Sequence, residues 1–233
     1  MKHKWLDILL SLAILATGLC GGVLVEARWG IYNKLGLQSA PPAQCSGSRS
    51  LAAGADTPWE ELAEYFMPGD GLPAFVEGPP QAPLQVQVYL DVECPFSQQW
   101  IQMVLPKLLE RKDIWLEIHD FPLPFHSHAV RAAQAGRCAA RQASYLDFLA
   151  ELASFEVPND QAIAQAASAA GLKVESLVQC LPSEESNVRL DFLAGQAAGV
   201  RATPTTVING RGIAGLYPWQ TYERLLVEAL HGR

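Results

Sequence analysis

The sequence predicts an α/β domain built on a parallel strand pair, with a long helical block inserted before the sheet is completed. Three observations predict it. The stretch LQVQVYLDVECPFSQQW, residues 84–100, passes from period-two alternation straight into a helix led by a cysteine. A second alternating run, IWLEIHDF from Ile114 to Phe121, follows that helix, and strand, helix, strand implies a right-handed crossover and a parallel pair. After a long helical stretch, β structure returns at Thr205 as a hairpin turning on Asn209-Gly210.

Taken in order, the chain begins with residues 1–28, where Lys2 and Lys4 precede an almost uncharged run from Ile8 to Val25. That run approaches the ~20 apolar residues a membrane-spanning helix needs. It is followed by Val-Glu-Ala-Arg-Trp rather than a small-x-small cleavage site, and Trp29 and Tyr32 suit an interfacial aromatic belt. The expectation is a retained anchor with its basic end in the cytoplasm, the alternative being a cleaved secretory signal. Cys20 follows Thr17, Gly18 and Leu19, a poor lipidation box, and is read as an apolar residue of that segment. Residues 29–83 read as a tether, because Gly36 to Pro83 is rich in Ser, Gly, Ala and Pro. Thr57 is expected to cap one short helix over Pro58 to Phe66, with Pro at the first helical position and acidic residues in the first turn.

Residues 84–233 form the folded domain. Val86, Val88 and Leu90 alternate with Gln85, Gln87 and Tyr89, and the strand ends at Asp91 to Glu93. Trp100, Ile101, Val104, Leu105, Leu108 and Leu109 then recur on one helix face, so Cys94, Pro95, Phe96 and Ser97 open that helix. Pro106 inside it predicts a kink. Cys94 is expected at an exposed helix N-terminus, where free backbone amides and the positive dipole end favour the thiolate. Glu93 beside it either opposes that thiolate as a charge or relays a proton. Ser97 stands where a C-x-x-C motif has its second cysteine. A serine hydroxyl can hydrogen-bond a thiolate but cannot form a disulfide with it.

Helical patterns follow over residues 128–143, 145–155, 160–170, 174–181 and 185–200, with Pro158, Asp160 and Ser183 supplying breaks and caps. The hairpin pairs Thr205–Ile208 with Ile213–Leu216. A last amphipathic helix carries Trp219, Tyr222, Leu225, Leu226, Ala229 and Leu230 on one face.

With 233 residues and 49% of them hydrophobic, the chain can bury one full core with appendages. Its net charge of −7, with no basic cluster beyond the first four residues, excludes a nucleic-acid surface. His126 and His128 form an H-x-H pair, but no third ligand is convincingly assembled with them, so neither metal nor cofactor is expected.

Three stretches carry a resemblance: Asp91-Val92-Glu93-Cys94-Pro95-Phe96; Phe121-Pro122-Leu123-Pro124-Phe125-His126 with the alanine-rich helix after it; and Gly199-Val200-Arg201-Ala202-Thr203-Pro204-Thr205. From about Leu84 to Arg233 the chain resembles the DsbA-like family of periplasmic thiol oxidoreductases, in the branch whose active site reads D-x-x-C-P-F-C. The resemblance implies a thioredoxin fold, with a helical insertion at about 126–199 between the second strand and a cis-proline strand. It further implies that Thr203 and a cis Pro204 face Cys94 and shape a groove for extended substrate. Ser97 departs from the family at the resolving cysteine.

The expected function is therefore envelope thiol-disulfide exchange through the single nucleophile Cys94, of a reductase, deglutathionylation or isomerase type. A non-catalytic module or chaperone holding extended polypeptide near Pro204 is the alternative. Expected partners are protein thiols or disulfides of the cell envelope, with glutathione or a membrane redox protein closing the cycle. The chain would sit in the inner membrane by a single pass, with its domain in the periplasm. Cys138 and Cys180, on two helices of the insertion, are read as a structural disulfide, as second disulfides in some relatives imply; four cysteines outside the apolar segment allow three pairings, and the sequence does not choose. Cys45 on the tether is either an incidental or intermolecular thiol, or a resolving thiol that reaches the groove at modest loop-closure cost.

Overall fold

The computed structural model describes residues 44–45, 64–65 and 71–231. Three short strands come first, β1 (Gln44–Cys45), β2 (Glu64–Tyr65) and β3 (Phe75–Glu77), followed by β4 (Leu84–Leu90). Helix α1 (Pro95–Met103) stops at Val104 and α2 (Leu105–Leu109) restarts with Pro106 in its first turn, which is how the missing proline N–H is tolerated. Strand β5 (Ile114–Asp120) leads into the insertion. Its helices are α3 (Ala129–Ala140), α4 (Tyr145–Leu152), α5 (Asp160–Ala169), α6 (Val174–Cys180), a 3-10 turn at Leu181–Glu184, and α7 (Glu185–Ala198). The chain then returns through β6 (Ala202–Thr203), β7 (Thr205–Ile208) and β8 (Arg211–Ala214) to α8 (Trp219–Leu230).

The main sheet runs β2-β8-β7-β4-β5-β3. At its centre β4 and β5 are parallel in register from Leu84 opposite Ile114 to Leu90 opposite Asp120, as the crossover requires. β7 lies antiparallel on the other side of β4, and β8 closes the hairpin on Asn209 and Gly210, both with positive φ. Leu84, Val86, Val88 and Leu90 enter one core with Trp100 and Ile101 of α1, and with Tyr222, Leu225 and Leu226 of α8. Helices α3 to α6 extend it through Ala135, Phe148, Ile163 and Leu177. Tyr89 points to the opposite face and packs with Phe121, Leu123, Val200 and Val207 under Phe192 of α7. Leu230, expected on the buried face of the last helix, is 42% exposed, although its neighbour Ala229 still packs against the core.

The reading of residues 29–83 is corrected. Glu64 and Tyr65 are not helical but pair antiparallel with Gly212 and Arg211, and Phe75–Glu77 pairs with Leu116–Ile118, so the stretch read as a tether supplies both edges of the sheet. The anchor read over residues 1–28 lies outside the described residues. Among the described residues, no helix is long and apolar enough to cross a membrane.

Candidate functional site

Cys94 is the N-cap of α1, in an extended conformation (φ −75°, ψ 121°), with Pro95 immediately after it. Its carbonyl accepts the first helical hydrogen bond from Gln98 at 3.0 Å, and its own N–H donates to the Asp91 carbonyl at 2.9 Å. No side chain caps this end and its first turn carries no acid, so the dipole's positive end is uncompensated by the helix itself. The Thr203–Pro204 peptide is cis, and the Thr203 carbonyl oxygen lies 3.4 Å from Cys94 Sγ. Cys94, Thr203 and Pro204, separated by more than a hundred residues in sequence, therefore meet at one point. Contrary to the exposed position expected, Cys94 is fully buried, and its sulfur is held in a disulfide.

Asp91 organises the surroundings. Its side chain is buried, with Oδ1 accepting from Glu93 N at 2.8 Å and Oδ2 accepting from Leu123 N and His126 Nδ1, both at 2.7 Å. The carboxylate thus ties the Cys94 loop to the Phe121–His126 loop, and the hydrogen bond to Asp91 is the main cause that raises the His126 pKa above the ordinary histidine value, against a smaller opposing effect of burial. His126 is thereby fixed against the Asp91 carboxylate. The Glu93 Oε2 accepts from His128 N at 2.6 Å, at the start of α3. Ser97 is fully buried and its Oγ accepts a long 3.4 Å hydrogen bond from Asp91 N. Phe96 is half-buried against the core while Pro95 is exposed. Gln98 donates to the carbonyls of Val92 and Phe155, each at 2.9 Å, and so joins the cysteine loop to the insertion.

Cys138 and Cys180 are joined by a disulfide linking α3 to α6. The side chain of Cys45 lies outside the described residues, but its backbone does not: β1 runs parallel to β6, with Cys45 opposite Thr203.

A second polar cluster, not anticipated from the sequence, joins β5, α3 and α7. Asp191 of α7 is fully buried and accepts from His119 Nδ1, Asp120 N and Arg137 Nη2, all at 2.7 Å, while Arg137 Nε donates to Asp120 Oδ2 at 2.5 Å. Burial pulls the His119 pKa down, but hydrogen bonds to Asp191 and Glu117 outweigh it and raise it to about 9. Burial is also the main cause that pushes Asp120 up to about 7, with Arg137 opposing. The one available sequence signal was the placing of Arg137 and Asp191 among alanines, glycine and leucine on insertion helices.

Residues 73–228 match the thioredoxin family. The chain belongs to that family. The thioredoxin fold is shared with a periplasmic thioredoxin-like protein from Salmonella enterica serovar Typhimurium, 25% identical, over 67% of this chain and 89% of that one, at a TM-score of 0.56. It is also shared with the thiol-disulfide exchange protein alpha-DsbA2 from Wolbachia pipientis, at 16% identity, 66% and 85% coverage and a TM-score of 0.60. BdbD from Bacillus subtilis in its oxidised form matches at 23% identity, 70% and 97% coverage and a TM-score of 0.59. Among curated relatives, the Na(+)/H(+) antiporter NhaA of Herminiimonas arsenicoxydans is 28% identical over 166 residues. The chain spans about a quarter of such relatives, 26% of that antiporter and 25% of NhaA 3 from Salinispora tropica.

Proposed function

We propose that this thioredoxin-family chain performs thiol-disulfide exchange through Cys94 on protein thiols or disulfides of the cell envelope. The observation that carries the reading is the meeting of Cys94, at an uncapped helix N-terminus, with the Thr203 carbonyl beside cis Pro204. A helix start favours the thiolate, the attacking form in exchange. Glutathione or a membrane redox protein would restore the starting state. An envelope location is supported by the basic-then-apolar residues 1–28 and by likeness to the periplasmic Salmonella protein. By the same residues, the chain would be held in the inner membrane.

The pairing of β1 with the edge of β6 favours a second reading, in which this edge simply holds extended polypeptide. Rates of deglutathionylation of a glutathionylated peptide, compared between the full chain and Cys94→Ala, separate the two. Loss of activity to background is expected in the variant. Equal rates in both proteins would refute exchange and leave the binding module.

A further inference from the structure

Cys94 is disulfide-bonded, and Ser97 cannot be the partner. The chain has five cysteines. Cys138 and Cys180 are bonded to each other, which leaves Cys20 and Cys45. The backbone register distinguishes these two. Cys45 stands opposite Thr203 in the parallel β1–β6 pair, and the Thr203 carbonyl is the group 3.4 Å from Cys94 Sγ. Paired strands lie about 4.8 Å apart, so residue 45 is brought to the same carbonyl that Cys94 touches. Cys45 also belongs to the same compact unit as Cys94, Pro42–Arg233.

We propose that Cys45 is the disulfide partner and resolving thiol of Cys94, and that β1 is an internal occupant of the groove which leaves when this disulfide opens. The proposal rests on the exchange reading above and extends it: the chain carries its own two-electron couple, formed by cysteines far apart in sequence, so Ser97 does not limit it to monothiol chemistry.

The steps balance for a dithiol substrate. One substrate thiolate attacks Cys94 Sγ, the Cys45–Cys94 bond breaks, and Cys45 leaves as a thiolate that takes up a proton. The second substrate thiolate then attacks the substrate sulfur of the mixed disulfide, and Cys94 leaves and is protonated in turn. The substrate loses two electrons and two protons and becomes a disulfide; the chain gains them as two thiols. Run backwards, Cys94 attacks a substrate disulfide and Cys45 attacks Cys94 Sγ to release the reduced substrate. Each opening also frees the Ala202–Thr203 edge, because β1 is held there by only two residue pairs. An extended polypeptide adds to that edge in place of β1.

The test uses the full chain, oxidised with glutathione disulfide, digested without reductant and mapped by mass spectrometry. The expected product is a peptide pair joining Cys45 to Cys94, kept in Cys20→Ser and lost in Cys45→Ser. A reduced dithiol peptide should then be oxidised once per chain by the wild type. An intramolecular thiol acts at an effective concentration on the order of millimolar. With free glutathione about tenfold below that concentration, Cys45→Ser should therefore hold about tenfold more glutathione on Cys94. Cys94 found bonded to Cys20, or free after oxidation, overturns the proposal, as does an unchanged adduct level in Cys45→Ser. The wild-type map needs no variant, so a misfolded mutant cannot hide the answer. The exchange reading fails separately, if reduced Cys45→Ser protein takes no glutathione on Cys94 at all.

Discussion

Replacing Asp91 tests whether the cysteine loop is held in place by one buried carboxylate. In Asp91→Ala, three N–H groups lose their acceptor: Glu93 N, Leu123 N and His126 Nδ1. Leu123 is only 1% exposed, so water cannot readily replace its lost bond, whereas Glu93 and His126 are half-buried and recover part of theirs from solvent. A hydrogen bond to a charged acceptor contributes about 1.5–3 kcal/mol when the stranded donor stays buried, and about 1 kcal/mol when it is rehydrated. The expected loss is therefore about 3–5 kcal/mol, read as a lower urea midpoint at unchanged slope. Asp91→Asn keeps one acceptor oxygen and should lose about half as much. The same variants should change the rate at which reduced Cys94 is alkylated, because Cys94 N is anchored to the Asp91 carbonyl at the end of the loop being released. A loss under about 1 kcal/mol in Asp91→Ala, with alkylation unchanged, would refute the idea that this carboxylate positions the site.

Stability should fall as pH rises from 7 to 9, on the order of 1–3 kcal/mol. His119, raised to about 9, contributes stability that is fully present below its unfolded value near 6.5 and is lost as it deprotonates; His119→Gln should flatten the urea midpoint between those pH values, and an unchanged slope would count against the buried ion cluster. Asp120, raised to about 7, loses its contribution over the lower range from about 4 to 7, so both trends run the same way. Removing the Cys138–Cys180 bond by a double Ala substitution frees a loop with a sequence separation of 42 residues and should cost about 4 kcal/mol on the chain-entropy estimate, measured by denaturation. In Gly195→Ala a Cβ would stand 2.9 Å from Phe121 Cδ2 and 3.0 Å from Tyr89 Cε1; the clash should outweigh the helix propensity gained and lower stability by about 1–2 kcal/mol, and a more stable variant would show that α7 can shift freely.

Elements with strong periodicity were legible from the residues alone. The alternation in β4 and β5, the break at Pro106, the five insertion helices and the Asn209-Gly210 turn all follow local rules that tertiary packing did not override. The three short strands were not legible, since strands of two or three residues carry no period, and Pro and Gly nearby suggested a tether. Cys94 was placed correctly at its helix start but not in its burial, which depends on what the chain lays over it from far away in sequence. The charges missed have a related cause. Arg137 and Asp191 are far apart along the chain, and a charged residue in an alanine-rich helix reads as solvent-facing until a partner on another element is known.

The two edges of the main sheet carry a consequence for anyone who shortens this chain. β2 and β3 are brief, and β3 pairs with only three of the seven residues of β5, yet they stand where the unpaired amides and carbonyls of β8 and β5 would otherwise face solvent. Open edges of that kind recruit foreign strands, and brief covering strands are among the ways natural sheets prevent it. A fragment trimmed to begin at Leu84, where the recognisable pattern starts, would retain the cysteine, the cis-proline and the insertion while uncovering both edges. Such a fragment would self-associate through its sheet. The modest-looking residues ahead of Leu84 thus act as the domain's protection against its own copies.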